Sequence, residues 1–208
     1  MKLVLISDTH GQHRGLSLPE GDMIIHAGDI SRSGDSAEVM EFLQWYADLD
    51  YKHKIFVAGN HDYFFEDLDP ESFQFILPDD VTYLNDSGIE IEGKNIWGSP
   101  VQPWFYDWAF NRRRGGDIQK HWDLIPKSAD ILITHGPPFG VLDRTTGGLN
   151  VGCEDLTETM SRLDVRLHVF GHIHEAYGVR QSGKTTYVNA SVLDHRYRLV
   201  NPPVELEF

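Results

Sequence analysis

The 208-residue chain contains one cysteine, Cys153, so no disulfide can form within it. Cations are also scarce. Eighteen Lys and Arg stand against 32 Asp and Glu, and the net charge of −14 has the wrong sign for gripping nucleic acid through its phosphates. A role on duplex nucleic acid is therefore not expected. No apolar run approaches the ~18 to 20 residues that cross a bilayer, so no membrane partner is expected. The N-terminal apolar stretch stops at Asp8, short of a signal-peptide core. Internal repeats, low-complexity tracts and Ser/Gly linkers are missing too. These absences lead to the expectation of one globular domain over residues 1–208, kept in a reducing cytoplasm. A chain of this length buries about 70% of its unfolded surface and supports a real core.

Short apolar runs recur, and each stops at a polar cluster: Leu3 to Ile6, Met23 to Ile25, Ile55 to Val57, Ile131 to Ile133 and Leu167 to Phe170. They read as buried strands with functional tips. Between the second and third, Val39, Leu43, Tyr46 and Leu49 recur at helical spacing after Ser36, a candidate N-cap. Shorter helical patterns lie at about Glu71 to Leu77, Asp117 to Ile125 and Glu154 to Leu163, again between strands, which is the α/β signature. Alternation predicts hairpins over Gly88 to Trp97 and Tyr177 to Val188, with further strands at Tyr197 to Val200 and Val204 to Phe208.

The metal-capable residues cluster at the strand ends. Asp8-Thr9-His10, Gly28-Asp29, Gly59-Asn60-His61-Asp62, His135-Gly136 and Gly171-His172-Ile173-His174 each follow an apolar run, so all five can meet at the C-terminal edge of a sheet, where open α/β sheets bind ligands. Asp8/His10 and His172/His174 are spaced i, i+2, which in extended chain places both side chains on one face. Imidazole, carboxylate and amide donors without thiolate suit Mn, Fe, Zn, Co or Ni, and the donor set alone does not choose among them.

In this order the five blocks resemble the calcineurin-like metallophosphoesterase superfamily, whose pattern is D-x-H, G-D, G-N-H-D/E, H and G-H-x-H. The likeness extends through Gly98-Ser99-Pro100, His135-Gly136-Pro137-Pro138, Val151-Gly152-Cys153 and Asn189-Ala190-Ser191, and is similar to the branch of small metallophosphoesterase-domain proteins. Some vertebrate members of that branch have Gly where this chain has His172. The resemblance implies a four-layer α-β-β-α sandwich with two mixed sheets and two divalent ions as cofactor, with Mn favoured. It implies that Asp8, His10, Asp29 and His174 hold one ion and that Asp29, Asn60, His135 and His172 hold the other. His61 is implied to be the catalytic histidine outside the ligand set, with Asp62 orienting it.

The expected activity is phosphodiester or related phosphoester hydrolysis by in-line attack of a hydroxide shared by the ions. The expected partner is a small phosphoester or nucleotide, cyclic nucleotides above all; a binding scaffold with vestigial hydrolysis is the competing reading. Trp104 and Phe105, in an aromatic-rich stretch, are candidates for stacking on a base, with packing over the sheet edge as the plain alternative. Arg112 and Arg113 are candidate phosphate contacts or parts of a solvated turn, and His13 either meets substrate or hydrogen-bonds its loop. His26 and His168, inside apolar runs, read as core histidines, while His53, His121 and His195 read as surface residues.

Overall fold

The computed structural model describes residues Met1–Phe208, apart from the side chains of Pro70, Glu71 and Gln74. The first half runs β1 (Lys2–Ile6), β2 (Met23–Ala27), α1 (Ser36–Ala47), β3 (His53–Val57), α2 (Tyr63–Asp67) and β4 (Val81–Tyr83). The second half contains the hairpin β5 (Ser87–Ile91) and β6 (Lys94–Ser99), the short pair β7 (Gln102–Pro103) and β8 (Asn111–Arg112), and α3 (Gly116–Trp122). It continues with β9 (Ile131–Thr134), α4 (Glu154–Met160), β10 (Leu167–Phe170), the hairpin β11 (Gly178–Ser182) and β12 (Thr185–Asn189), and β13 (Val204–Glu207).

Two mixed sheets result, ordered β13-β1-β2-β3-β4 and β11-β12-β10-β9-β6-β5. The inner strands pair in parallel, and antiparallel strands close three of the four edges. The central parallel strands β2, β9 and β10 are fully buried because both their faces are covered. Leu3, Leu5, Ile25 and Ile55 of the first sheet pack against Ile96, Ile131, Leu167 and Val188 of the second. The outer face of the first sheet, with Val4, Ile24 and Phe56, is covered by Val39, Phe42, Leu43 and Tyr46 of α1. Leu132 on the outer face of the second meets Ile118 and Trp122 of α3 and Leu156 of α4. This is the expected four-layer α-β-β-α sandwich. Among the described residues no helix is long and apolar enough to cross a membrane.

Several local expectations change. The N-cap of α1 is Asp35, whose carboxylate accepts from the amides of Ala37 (3.0 Å) and Glu38 (3.4 Å), one residue before the Ser36 that the pattern suggested. The segment expected to be helical from Glu71 is a 3-10 turn over Pro70–Phe75. Residues 197–200 form no strand: Tyr197 stands at φ 57° within a turn, and Leu199 makes only an isolated bridge to Leu193. The strand tips converge as expected. Ser7, just beyond β1, bridges Ser191 beyond β12, and the Val192 amide donates to the Ser7 carbonyl (3.0 Å), so the two sheets are stitched together where the metal-capable residues lie.

Candidate metal centre

Among the described residues, three groups of side chains bring potential ligand atoms within 4.8 Å of one another: Asp8, His10 and His174; His10, Asp29 and His61; and Asp29, His135 and His172. They interlock through His10 and Asp29. Asp29 Oδ2 lies 3.5 Å from His10 Nε2 and 3.3 Å from His135 Nε2, which places this carboxylate between two half-sites. Its other oxygen, Oδ1, accepts from the His61 amide (2.8 Å).

Backbone carbonyls orient the imidazoles. His10 Nδ1 donates to the Ser31 carbonyl (3.1 Å), His135 Nδ1 to Ala27 (2.9 Å) and His174 Nδ1 to Asp194 (3.1 Å). Each therefore turns Nε2 inward, the tautomer expected of a ligating histidine with its second nitrogen anchored. Those inward atoms meet other acceptors: His135 Nε2 faces Asn60 Oδ1 at 3.0 Å as well as Asp29, and His174 Nε2 faces Asp8 Oδ1 at 3.4 Å. His10 Nε2 is buried without a hydrogen-bond partner. Acceptors converging on acceptors in a buried site require either protons or cations between them, so the donor set fits divalent ions.

Titration behaviour carries the same signature. Burial lowers the His135 and His174 imidazoles, but the adjacent Asp29 and Asp8 carboxylates outweigh it and push both up to about 9. Burial raises Asp29 and Asp8, yet the same histidines hold both carboxyls below the ordinary range. His172, without such a partner, is pushed down by burial to about 3. Without metal, protons on His135 and His174 thus occupy the places that cations would take.

The backbone is strained where it carries these groups. Asp8 (φ 56°), His10 (φ 41°), Asp29 (φ 56°) and His172 (φ 66°) all sit in the left-handed region, which costs each on the order of 1–3 kcal/mol and clusters at functional sites. The extended backbone expected of the i, i+2 pairs is thereby corrected, although Asp8 and His10 still meet in one group. His172 and His174 diverge into different groups because the left-handed turn at His172 breaks the strand alternation.

The structure also redistributes the other expected residues. The Asp62 carboxylate does not reach the His61 ring; it accepts from the Gly59 amide (2.8 Å), the Ile30 amide (3.1 Å) and the Ser31 amide and hydroxyl (2.9 and 2.6 Å). His61 Nδ1 instead donates to the Arg32 carbonyl (2.7 Å). His13 is fully buried, its ring over Trp45 (4.5 Å) and its Nε2 2.8 Å from Glu41, and is closed to substrate. Arg112 turns to His121 (3.2 Å) and Glu66 (3.3 Å), so His121 is a half-buried network member, hydrogen-bonded also to Asp86 (2.6 Å). Arg113 is exposed, and its amide donates to Asp117 (3.1 Å). His26 and His168 are core histidines on Thr9 (3.0 Å) and Thr134 (2.8 Å).

Trp104 and Phe105 do reach the site's surroundings. With His172, Pro137 and Val151 they line a cavity of about 340 Å³, and the arginine on its wall is Arg114. Sequence reasoning missed Trp108 on the His61 ring (4.2 Å) and Tyr197, whose ring meets His10 (5.0 Å) and His174 (5.1 Å). The aromatic-rich stretch was a signal for the first; nothing marked the second.

A two-sheet sandwich with interlocked carboxylate and imidazole groups at its strand tips defines a metallophosphoesterase. The family model for calcineurin-like phosphoesterases matches residues 1–176, and the chain belongs to that family. It is 43% identical to human metallophosphoesterase domain-containing protein 1 over 99% of this chain and 70% of the relative. It is 28% identical to a probable cyclic nucleotide phosphodiesterase of Synechococcus, over 80% of this chain and 63% of that protein. Among solved structures, the phosphopantetheinyl hydrolase of Mycobacterium tuberculosis shares the fold, with a TM-score of 0.60 at 15% identity, covering 94% of this chain and 90% of the other.

Proposed function

We propose that the protein is a two-metal phosphodiesterase of small phosphate esters, with cyclic or related nucleotides as its substrate class and Mn as the favoured ion. Asp8, His10, Asp29 and His174 would hold one ion and Asp29, Asn60, His135 and His172 the other. The observation that carries this is Asp29 Oδ2 facing His10 Nε2 and His135 Nε2 at 3.5 and 3.3 Å. Divalent ions bound there supply Lewis-acid neutralisation of the phosphoryl oxygens and acidify the attacking water.

The chain's own groups do the rest. Carbonyls of Ser31, Ala27 and Asp194 fix the imidazoles, so little reorganisation is needed when charge develops. His61, with Nδ1 committed to the Arg32 carbonyl, offers Nε2 to protonate the leaving oxygen. Trp104 and Phe105, both 59% exposed, provide flat surface for a base beside His172. The name of the Synechococcus relative supports the cyclic-nucleotide class.

Hydrolysis of bis(p-nitrophenyl) phosphate and 2′,3′-cAMP with added Mn tests the reading. Activity is expected in the native chain and is lost in Asp29→Ala and Asn60→Ala. Retention in both overturns it. Tight AMP binding with negligible turnover would favour a binding scaffold instead.

A further inference from the structure

The carboxylate next to His61 in sequence does not hold it, yet its ring is held. With Nδ1 on the Arg32 carbonyl, the imidazole keeps one freedom, a swing about that hydrogen bond. Trp108 removes it: the two ring centroids are 4.2 Å apart with planes 35° from parallel, while the His10 ring abuts at 4.6 Å, nearly perpendicular at 89°.

Trp108 is anchored on both sides. The Tyr63 hydroxyl donates to the Asp107 carbonyl (2.8 Å), and the Ala109 amide donates to the Asn60 carbonyl (3.1 Å), the residue just before His61. Gln102 Nε2 donates to the Ala109 carbonyl (3.1 Å). Ala109 and Phe110 are buried, whereas Trp104, Phe105 and Tyr106 stand out into solvent. The aromatic stretch is thus split between an exposed crest and a fixed indole on the proton-donating histidine.

We propose that Trp108 is the positioning residue for His61, holding the imidazole plane so that Nε2–H is presented to the leaving oxygen. This rests on the reading of His61 given above. As the oxygen of water bonds to phosphorus and the ester P–O bond breaks, that bond's electron pair passes to the departing oxygen, which takes the Nε2 proton and leaves as the alcohol; the imidazolium, having given up that proton, is left as neutral imidazole with Nδ1–H still on the Arg32 carbonyl. The contribution of Trp108 therefore scales with the leaving group's need for a proton. It is small for p-nitrophenolate, whose charge is delocalised, and large for electron-rich phenols.

The test is a series of methyl aryl phosphates from p-nitro to p-methoxy, hydrolysed by the full-length Mn-loaded protein. A proton donor of this kind is worth about 10²- to 10⁴-fold, and losing its alignment should forfeit roughly tenfold or more of that. Trp108→Leu should leave kcat for the p-nitrophenyl ester within about twofold while lowering the p-methoxyphenyl ester at least about tenfold. Trp108→Phe should recover most of the loss. In a His61→Asn background, Trp108→Leu should add nothing.

A readout free of turnover is tryptophan emission: His61→Asn should brighten it, and that difference should vanish in Trp108→Phe. A drop uniform across the ester series, or a further drop in the His61→Asn background, overturns the proposal. A native chain with no Mn-dependent hydrolysis defeats the functional reading itself and takes the proposal with it, so the two failures are distinguishable.

Discussion

Asp62 follows His61 in the sequence but points away from it, into the floor beneath two loops. Its four hydrogen bonds tie the Ile30-Ser31 segment, which carries Asp29, to Gly59, which carries Asn60. Burial, reinforced by the Asp29 charge, pushes its carboxyl up to about 6, against the pull of those donors. Asp62→Ala would orphan buried amides at about 1–3 kcal/mol each. Thermal melting of the chelated protein should show a loss of several degrees, and Mn affinity should fall as the loops part; an unchanged melting temperature would falsify the clamp role. Gly171 permits another close approach. A Cβ there would stand 2.1 Å from Asp8 Oδ2 and 2.2 Å from Ser7 Oγ, in buried surroundings that cannot yield. Gly171→Ala is expected to displace Asp8 and lower the Mn content found by elemental analysis; full occupancy in a folded variant counts against Asp8 as a ligand.

At the scale of elements, α1 gives the cleanest energetic prediction. Because Asp35 and not Ser36 caps it, Asp35→Ala should cost about 1 kcal/mol and lower the melting temperature by about 2–4 °C in a chain of this size. Ser36→Ala should be nearly silent, and the reverse order would restore the original assignment. That one-residue shift shows what the sequence makes legible. Runs such as Leu3 to Ile6 and Ile131 to Ile133 identify their strands because both faces are buried, and the polar tip after each marks the site edge. Caps, by contrast, depend on which carboxylate the backbone turns inward. The i, i+2 argument failed at His172 because spacing reads dihedrals as extended, and a left-handed φ is invisible in composition. Asp62 and His13 were misplaced for a related reason: adjacency in sequence says nothing about the hydrogen-bond donors and apolar rings that neighbouring loops supply. Tyr197 was read as strand, yet its amide closes a turn onto the Asp194 carbonyl (2.8 Å) and its carbonyl is tied to Gln12 Nε2 (3.1 Å), a contact far outside any local window.

For the whole molecule, protons and cations compete for stability in different pH windows. His26 and His168 are buried without charge, and burial pushes each down to about 3. An unfolded histidine titrates near ~6.5. Between those values the unfolded chain holds the extra protons, so this contribution is complete above about 6.5 and is lost as pH falls, at about 1.4 kcal/mol per pH unit for each histidine. His135 and His174 act oppositely in the metal-free protein: raised to about 9, they hold protons in the fold that the unfolded chain has released. Their stabilisation is complete below about 6.5 and is lost as pH rises toward about 9. The chelated protein should therefore melt highest near neutral pH, with an acid limb from the core histidines and an alkaline limb from the site. Adding Mn should change the alkaline limb. Cations substitute for the protons on His135 and His174 and bind the folded state alone, so the alkaline limb should flatten while the acid limb persists, because His26 and His168 lie outside the ligand set. Melting curves at pH 5, 7 and 9, with chelator and with Mn, check this; an alkaline limb unaffected by Mn would mean that these two imidazoles do not face the ions.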